Sequence, residues 1–308
     1  VIGRRRIVPW LWLAPALSLL TIFLLYPSAD TVRRSLLDAR SRSFVGLDNY
    51  RWIAANPNPL VADTHAALAT TGLWLVLFTG ITVPLGLILA VLSGRVRYEA
   101  VAKAAVFIPM AISFVAASVI WRFMLEFNPH VGTANALLTS AGGEATAWLQ
   151  DTRSPLAWLG VFGAGSWPGP LRLDNVVLVM VGVWMWTGFA MVVLSAGLKS
   201  ISAELLEAAR VDGATEWQVF RFVIVPLLRP VLLVVTTTLL INTLKIFDLV
   251  WVMTGGRFGT DVVATLFFKE AFVNRDFGVG SALAVLLLLA VVPLTALTIR
   301  RFQAGGPA

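Results

Sequence analysis

Residues 176–198 read VVLVMVGVWMWTGFAMVVLSAGL. Nothing in that run is charged. It exceeds the ~20 apolar residues with which an α-helix crosses ~30 Å of hydrocarbon. A backbone inside lipid has no water to bond, so only helices and closed barrels satisfy it. A lipid-facing barrel strand alternates in hydropathy, whereas this run is continuous, so it predicts a membrane helix.

Five further runs read the same way, at about residues 10–27, 71–92, 100–124, 222–244 and 278–299. Trp10, Trp12 and Tyr26 suit the interfaces at the ends of the first run. Pro84 and Gly86 sit inside the second, where membrane helices tolerate them. The 308 residues are 58% hydrophobic and 13% charged, against roughly 25% charged in soluble domains. The expected fold is an all-α polytopic membrane protein with six spans in a single membrane domain, its main solvent being lipid. Arg4-Arg5-Arg6 before the first run resembles a signal-peptide start. The run is longer than a signal core and lacks a clear cleavage site, so a retained helix is expected.

Composition also excludes chemistry. The chain has no cysteine, which removes disulfides, thiolate catalysis and cysteine metal sites. Its two histidines, His65 and His130, stand far apart in polar segments and read as solvated loop residues, so no metal is expected. The net charge of +7 reads as basic helix ends rather than a nucleic-acid surface. The segment 125–175 is too rich in tryptophan (Trp148, Trp158, Trp167) for a linker and predicts a small folded cap. Asn56-Pro57-Asn58-Pro59 marks a turn in the first connection. Six spans put both termini on one face. Basic residues divide evenly between the faces, so charge alone leaves the orientation open.

After residue 198 comes a polar stretch that ends in Glu207-Ala-Ala-Arg-Val-Asp-Gly-Ala-Thr-Glu-Trp-Gln-Val-Phe-Arg-Phe-Val-Ile-Val-Pro226. Ser202 can cap a helix with Glu204 in its first turn. Asp212-Gly213 stops it, since glycine accepts the left-handed geometry of a helix C-terminus. Thr215 and Gln218 fit a capping box opening a second helix, which carries Pro226 and Pro230 into the fifth span. These residues alone allow an idle connection, or less well a DNA-binding helix-turn-helix with too few basic residues.

Glu207, Ala208, Ala209, Asp212, Gly213, Ala214 and Pro226, at this spacing, resemble the EAA loop of the membrane permeases of bacterial ATP-binding-cassette (ABC) importers. Val223 and Val225 stand where that family more often has Ile and Leu. Phe44-Val-Gly-Leu-Asp-Asn-Tyr50, Met253-Thr-Gly-Gly256 and Asp276-Phe-Gly-Val-Gly-Ser-Ala282 look like maltose-type sugar permeases. Gly142-Gly-Glu-Ala-Thr-Ala-Trp148 and Leu244-Lys-Ile-Phe-Asp248 look like α-glucoside permeases in particular. The resemblance implies a cytoplasmic loop at 199–221 and cytoplasmic termini, with the segment 125–175 outside.

It also implies the partners. The chain has no Gly-x-x-x-x-Gly-Lys-Ser/Thr, so it is expected to be a transport subunit and not an enzyme, with no cofactor of its own. ATP and Mg would act on a pair of ATPase subunits that receive the EAA loop. A second, homologous permease and an extracytoplasmic sugar-binding protein would complete the importer. The resemblance places the sugar path between the fourth and fifth spans, where Trp184, Trp186, Phe189, Asn242 and Thr243 carry suitable rings and polar groups. Lys245 and Asp248, three apart, are expected to pair with each other. A passive channel or secondary transporter is the competing reading. A membrane glycosyltransferase is a weaker one, because Glu126, Glu144, Asp151 and Asp174 show no paired spacing.

Overall fold

The computed structural model describes residues 8–55, 63–94, 96–153, 155 and 169–304. Arg4–Arg6, the Asn56–Pro59 turn, Trp158 and Trp167 lie outside the described residues. Regular structure among the described residues is helical, apart from isolated bridges such as Leu37 with Phe44. The chain divides into two units, residues 1–64 with 266–289 and residues 65–265 with 290–308.

The first unit opens with α1 (residues 8–34), which runs beyond the expected end at residue 27. A wide turn at Thr21–Leu25 precedes Pro27 and accommodates the proline's missing N–H. The extension is held by Asp30, whose carboxylate pairs with Arg34 at 2.6 Å and Arg33 at 3.3 Å. A tight loop follows. Its Asp38 carboxylate accepts backbone N–H bonds from Arg42 and Ser43, which hold its pKa below the ordinary value. From α2 (Asp48–Ala55), the buried Asn49 amide donates to the carbonyls of Ser35 and Leu37, both at 2.8 Å.

In the second unit α3 (Thr64–Ser93) is one long helix across the predicted 71–92. His65 lies in its first turn and not in a loop. The predicted third span, 100–124, is broken. It forms α4 (Glu99–Ala111) and α5 (Phe114–Met124), bent by 94°. Pro109 cannot donate to the preceding turn, and Ile112 is extended with ψ 141°, so the helix ends there. The cap carries α6 (Thr133–Ser140). Its fold is tied at Asn135, which has no exposed surface. That amide donates to the carbonyls of Glu126, Phe127 and Thr146, and its oxygen accepts from Thr146 N–H and the Trp148 indole.

The centre of this unit is α7 (Leu173–Lys199), the helix that contains the run 176–198. It packs along α4 at Gly188, where a Cβ would lie 2.5 Å from the Val106 carbonyl oxygen. Glu99 reinforces the seam by pairing with both Lys103 and Lys199, and Lys103 also bonds Ser195. Next come α8 (Ala203–Val211), α9 (Glu216–Leu227) and α10 (Arg229–Leu244), the last two bent by 68°. The single straight fifth span expected at 222–244 is therefore also broken. Pro230 has no N–H to give the Pro226 carbonyl, and the chain turns at Leu228. Then follow α11 (Asp248–Thr254), α12 (residues 263–273) and α13 (Phe277–Ala304), which crosses from one unit into the other. Among the described residues four helices are long and apolar enough to cross a membrane, and up to six spans result if each bent pair is one.

Candidate functional site

The polar stretch after α7 folds as a helix, a glycine turn and a second helix. Ser202 takes the extended cap geometry of α8, though its hydroxyl makes no capping bond. At the other end Gly213 has φ +85°. Ala214 N–H bonds the Ala209 carbonyl and Gly213 N–H bonds that of Arg210, both at 3.0 Å. That pattern satisfies the last carbonyls of the helix and requires the left-handed residue between them. Thr215 and Gln218 complete the capping box: Gln218 N–H donates to the Thr215 hydroxyl, and Thr215 N–H donates to the Gln218 side chain.

One link across the turn escaped the sequence. The Arg210 guanidinium donates to the Glu216 carboxylate at 2.8 Å, joining α8 to α9 and pushing the arginine's pKa further up. Six residues separate the pair, a spacing that no helical rule flags. No residue of α8 is buried. Glu207, Ala208 and Asp212 are exposed, while Ala209, Ala214 and Pro226 are half-buried. Val211 of α8, at 87% exposure, and Trp217 of α9, at 68%, add apolar surface to this polar turn. The turn between α8 and α9 is thus closed by hydrogen bonds, and α8 is uncovered.

The candidate path residues do not all meet. Trp186, Asn242 and Thr243 line one cavity of about 230 Å³, together with Phe78, Phe114 and Phe247. Trp184 points elsewhere, since two residues along a helix is half a turn. Its ring packs edge-on to Trp121 at 5.5 Å and lines a separate apolar cavity with Trp148. Phe189 reaches the first cavity only through Trp186, whose ring it meets at 5.6 Å. The hydroxyls of Thr187 and Thr243 bond their own helices. The Asn242 amide donates to the Thr238 carbonyl at 2.8 Å, and its oxygen accepts no bond from the described residues.

Lys245 and Asp248 correct an expectation. No ion pair joins them; both are exposed and both line this cavity. The helix ends at Lys245 and the next begins at Asp248, so the spacing that would pair them is not helical. Among the described residues no group of three histidines or carboxylates gathers to hold a metal ion.

Spans of this number, with an uncovered helix between two of them, define a polytopic membrane protein. Residues 82–303 match the family described as binding-protein-dependent transport system inner membrane component, and the chain belongs to that family. It is a multi-pass cytoplasmic-membrane permease and not an enzyme. It is 46% identical to the osmoprotective compounds uptake permease protein GgtC of Synechocystis sp., over 96% of this chain and 98% of that protein. It is 38% identical to the alpha-glucoside transport system permease protein AglF of Rhizobium meliloti, over 98% of this chain and 85% of that protein. A bacterial ABC transporter that imports the acidic polysaccharide alginate shares the fold, with a TM-score of 0.75 over 96% of each chain at 20% identity.

Proposed function

We propose that this chain is the permease subunit of an ABC importer that carries a small neutral carbohydrate, an α-glucoside or a disaccharide, into the cell by alternating access. The observation that carries the reading is α8, an uncovered helix joined to α9 by a hydrogen-bonded glycine turn and a capping box in a chain otherwise built for lipid. A surface held in this way, with charge at Glu207 and apolar area at Val211, fits a cleft on a partner ATPase. Glu207, Ala208, Ala209, Asp212, Gly213 and Ala214 form that contact, and Pro226 belongs to it at the far end of α9, beside the bend into α10. The helix and both termini then face the cytoplasm, and the segment 125–175 faces outward.

The cavity at Trp186, Asn242 and Thr243 is the sugar position. Its rings offer faces for sugar C–H groups, and the Asn242 oxygen, Lys245 and Asp248 offer hydrogen bonds to hydroxyls. Trp184 and Phe189 support its wall from behind. The permeases for osmoprotective compounds and for alpha-glucosides named above support this ligand class. ATP and Mg act on a pair of ATPase subunits. A homologous second permease covers α1, whose apolar stretch is unburied within this chain, and an extracytoplasmic binding protein delivers the sugar. Closure of the ATPases rocks the helices through α8.

The test is uptake of radiolabelled maltose, trehalose, sucrose and glucosylglycerol by proteoliposomes holding the assembled complex. Uptake of at least one, dependent on ATP and lost on Glu207→Lys with the complex still assembled in lipid, is expected. Uptake that continues without ATP returns the channel reading.

A further inference from the structure

A second cavity, of about 480 Å³, lies in the same unit and shares no lining residue with the first. It is formed where α5 and the cap meet α11 and the loop after it. Arg122, Glu126, Gln150, Trp251, Arg257 and Phe258 line it. Arg122 is committed, donating to the Val252 carbonyl at 3.2 Å. Arg257, exposed and lining the same cavity, makes no ion pair with any described residue.

The loop that presents Arg257 and Phe258 is built with effort. The Thr254 and Thr260 hydroxyls bond each other at 2.7 Å, and Thr260 also donates to the Arg257 carbonyl. Within that brace Phe258 is held at φ +58°, a conformation that a bulky side chain rarely adopts, and its ring remains 46% exposed. Strained residues of this kind persist where the surroundings over-determine them, and they concentrate at binding sites.

The two cavities are joined by one aromatic pair. Phe247 lines the inner cavity and Trp251, one turn further along, lines the outer. Their rings stack at 5.6 Å with 15° between planes, forming a continuous flat face along α11.

The chemistry of the outer cavity selects among ligands. A simple anion site would not include Glu126 in its lining, and an apolar ligand would strand these polar groups. Guanidinium donors, carboxylate and amide acceptors and aromatic rings lining one cavity match a neutral ring bearing alternating hydroxyls. Resting on the carbohydrate reading above, we propose that the outer cavity is a second carbohydrate subsite. Sugar waits there and passes along the Trp251–Phe247 face to the inner cavity.

The test uses the complete complex in lipid nanodiscs, free of sugar detergents and without the binding protein. The probe is whichever of the four labelled sugars the wild type imports. Equilibrium binding is counted per copy of this chain. Phe258→Gly suits the backbone at φ +58° better than phenylalanine does, so it removes the ring without endangering the fold; Arg257→Gln removes the charge. Each is expected to abolish one bound sugar and, in proteoliposomes supplied with the binding protein, to raise the KM of uptake about tenfold. Trp186→Ala removes the other bound sugar, and the Phe258→Gly, Trp186→Ala double variant removes both. Outer variants that bind as the wild type does, while Trp186→Ala loses one sugar, overturn this inference and leave the carbohydrate reading standing. Outer variants that keep their sugar but lose stimulation by the binding protein assign the cavity to a protein loop and also overturn it. A wild type that imports none of the four sugars removes both readings.

Discussion

Gly213→Ala isolates the turn between α8 and α9. At φ +85° an alanine pays the left-handed penalty of about 1–2 kcal/mol. Nothing else opposes it, because a Cβ built at Gly213 meets no atom within 4 Å. The whole cost therefore falls on the turn, where it lowers the native population by a factor of about 5–30 relative to alternatives. The spans lie outside the turn, so thermal unfolding of the permease in nanodiscs should change little. ATP-coupled uptake should fall severalfold while ATPase subunits still associate. Gly213→Asn should fall between the two, since asparagine is the other residue found at this position in helix ends. Uptake by Gly213→Ala equal to wild type, or a ranking with asparagine below alanine, refutes the claim that this backbone conformation is what couples.

Other outcomes follow from the packing and charges. Gly188→Ala pushes a methyl into the Val106 carbonyl oxygen and should destabilise the α4–α7 seam by about 1–3 kcal/mol, read as a lower unfolding midpoint in nanodiscs. Trp186→Ala should raise the KM of sugar uptake more than Trp184→Ala does, because only the former ring lines the inner cavity; equal effects contradict the assignment. In the cap, the Arg153 hydrogen bonds hold the Asp151 carboxyl below its ordinary 3.8. A depressed acid stabilises above its unfolded pKa and loses that contribution as pH falls through the folded value. Hydrogen exchange at residues 144–153 should therefore accelerate in the wild type below about pH 4, relative to Asp151→Asn, which lacks the titration; identical pH courses in both remove this account.

What was legible in the sequence was whatever depends on neighbours along the chain. The run 176–198 announces a span because its apolarity is local. Gly213 and the Thr215–Gln218 box could be read because caps are written within a few residues. The breaks at Ile112 and Leu228 were not, because membrane helices often absorb a proline such as Pro109 without breaking. Whether one does is decided by tertiary neighbours. Asn135 looked like any polar residue of a small helix, yet its five bonds join segments before and after it. Trp184 and Trp186 share a span, and only the packed neighbours distinguish their roles. Lys245 and Asp248 were misread because the sequence hides the helix end between them.

The break between α4 and α5 has a consequence for leakage. At 1.5 Å per residue the 13 residues of α4 cover only about 20 Å, against ~30 Å of hydrocarbon. The helix wall is therefore interrupted before α4 alone could span that depth. The rings available are Phe114 at the start of α5 and Trp186 beside it at 6.0 Å, with Phe189 behind. On the function proposed above, the aromatic cluster that would receive the sugar also stands where this helix wall is interrupted. Those rings would then have to stay closed whenever the importer is idle, or the ion gradients across the membrane would leak through it.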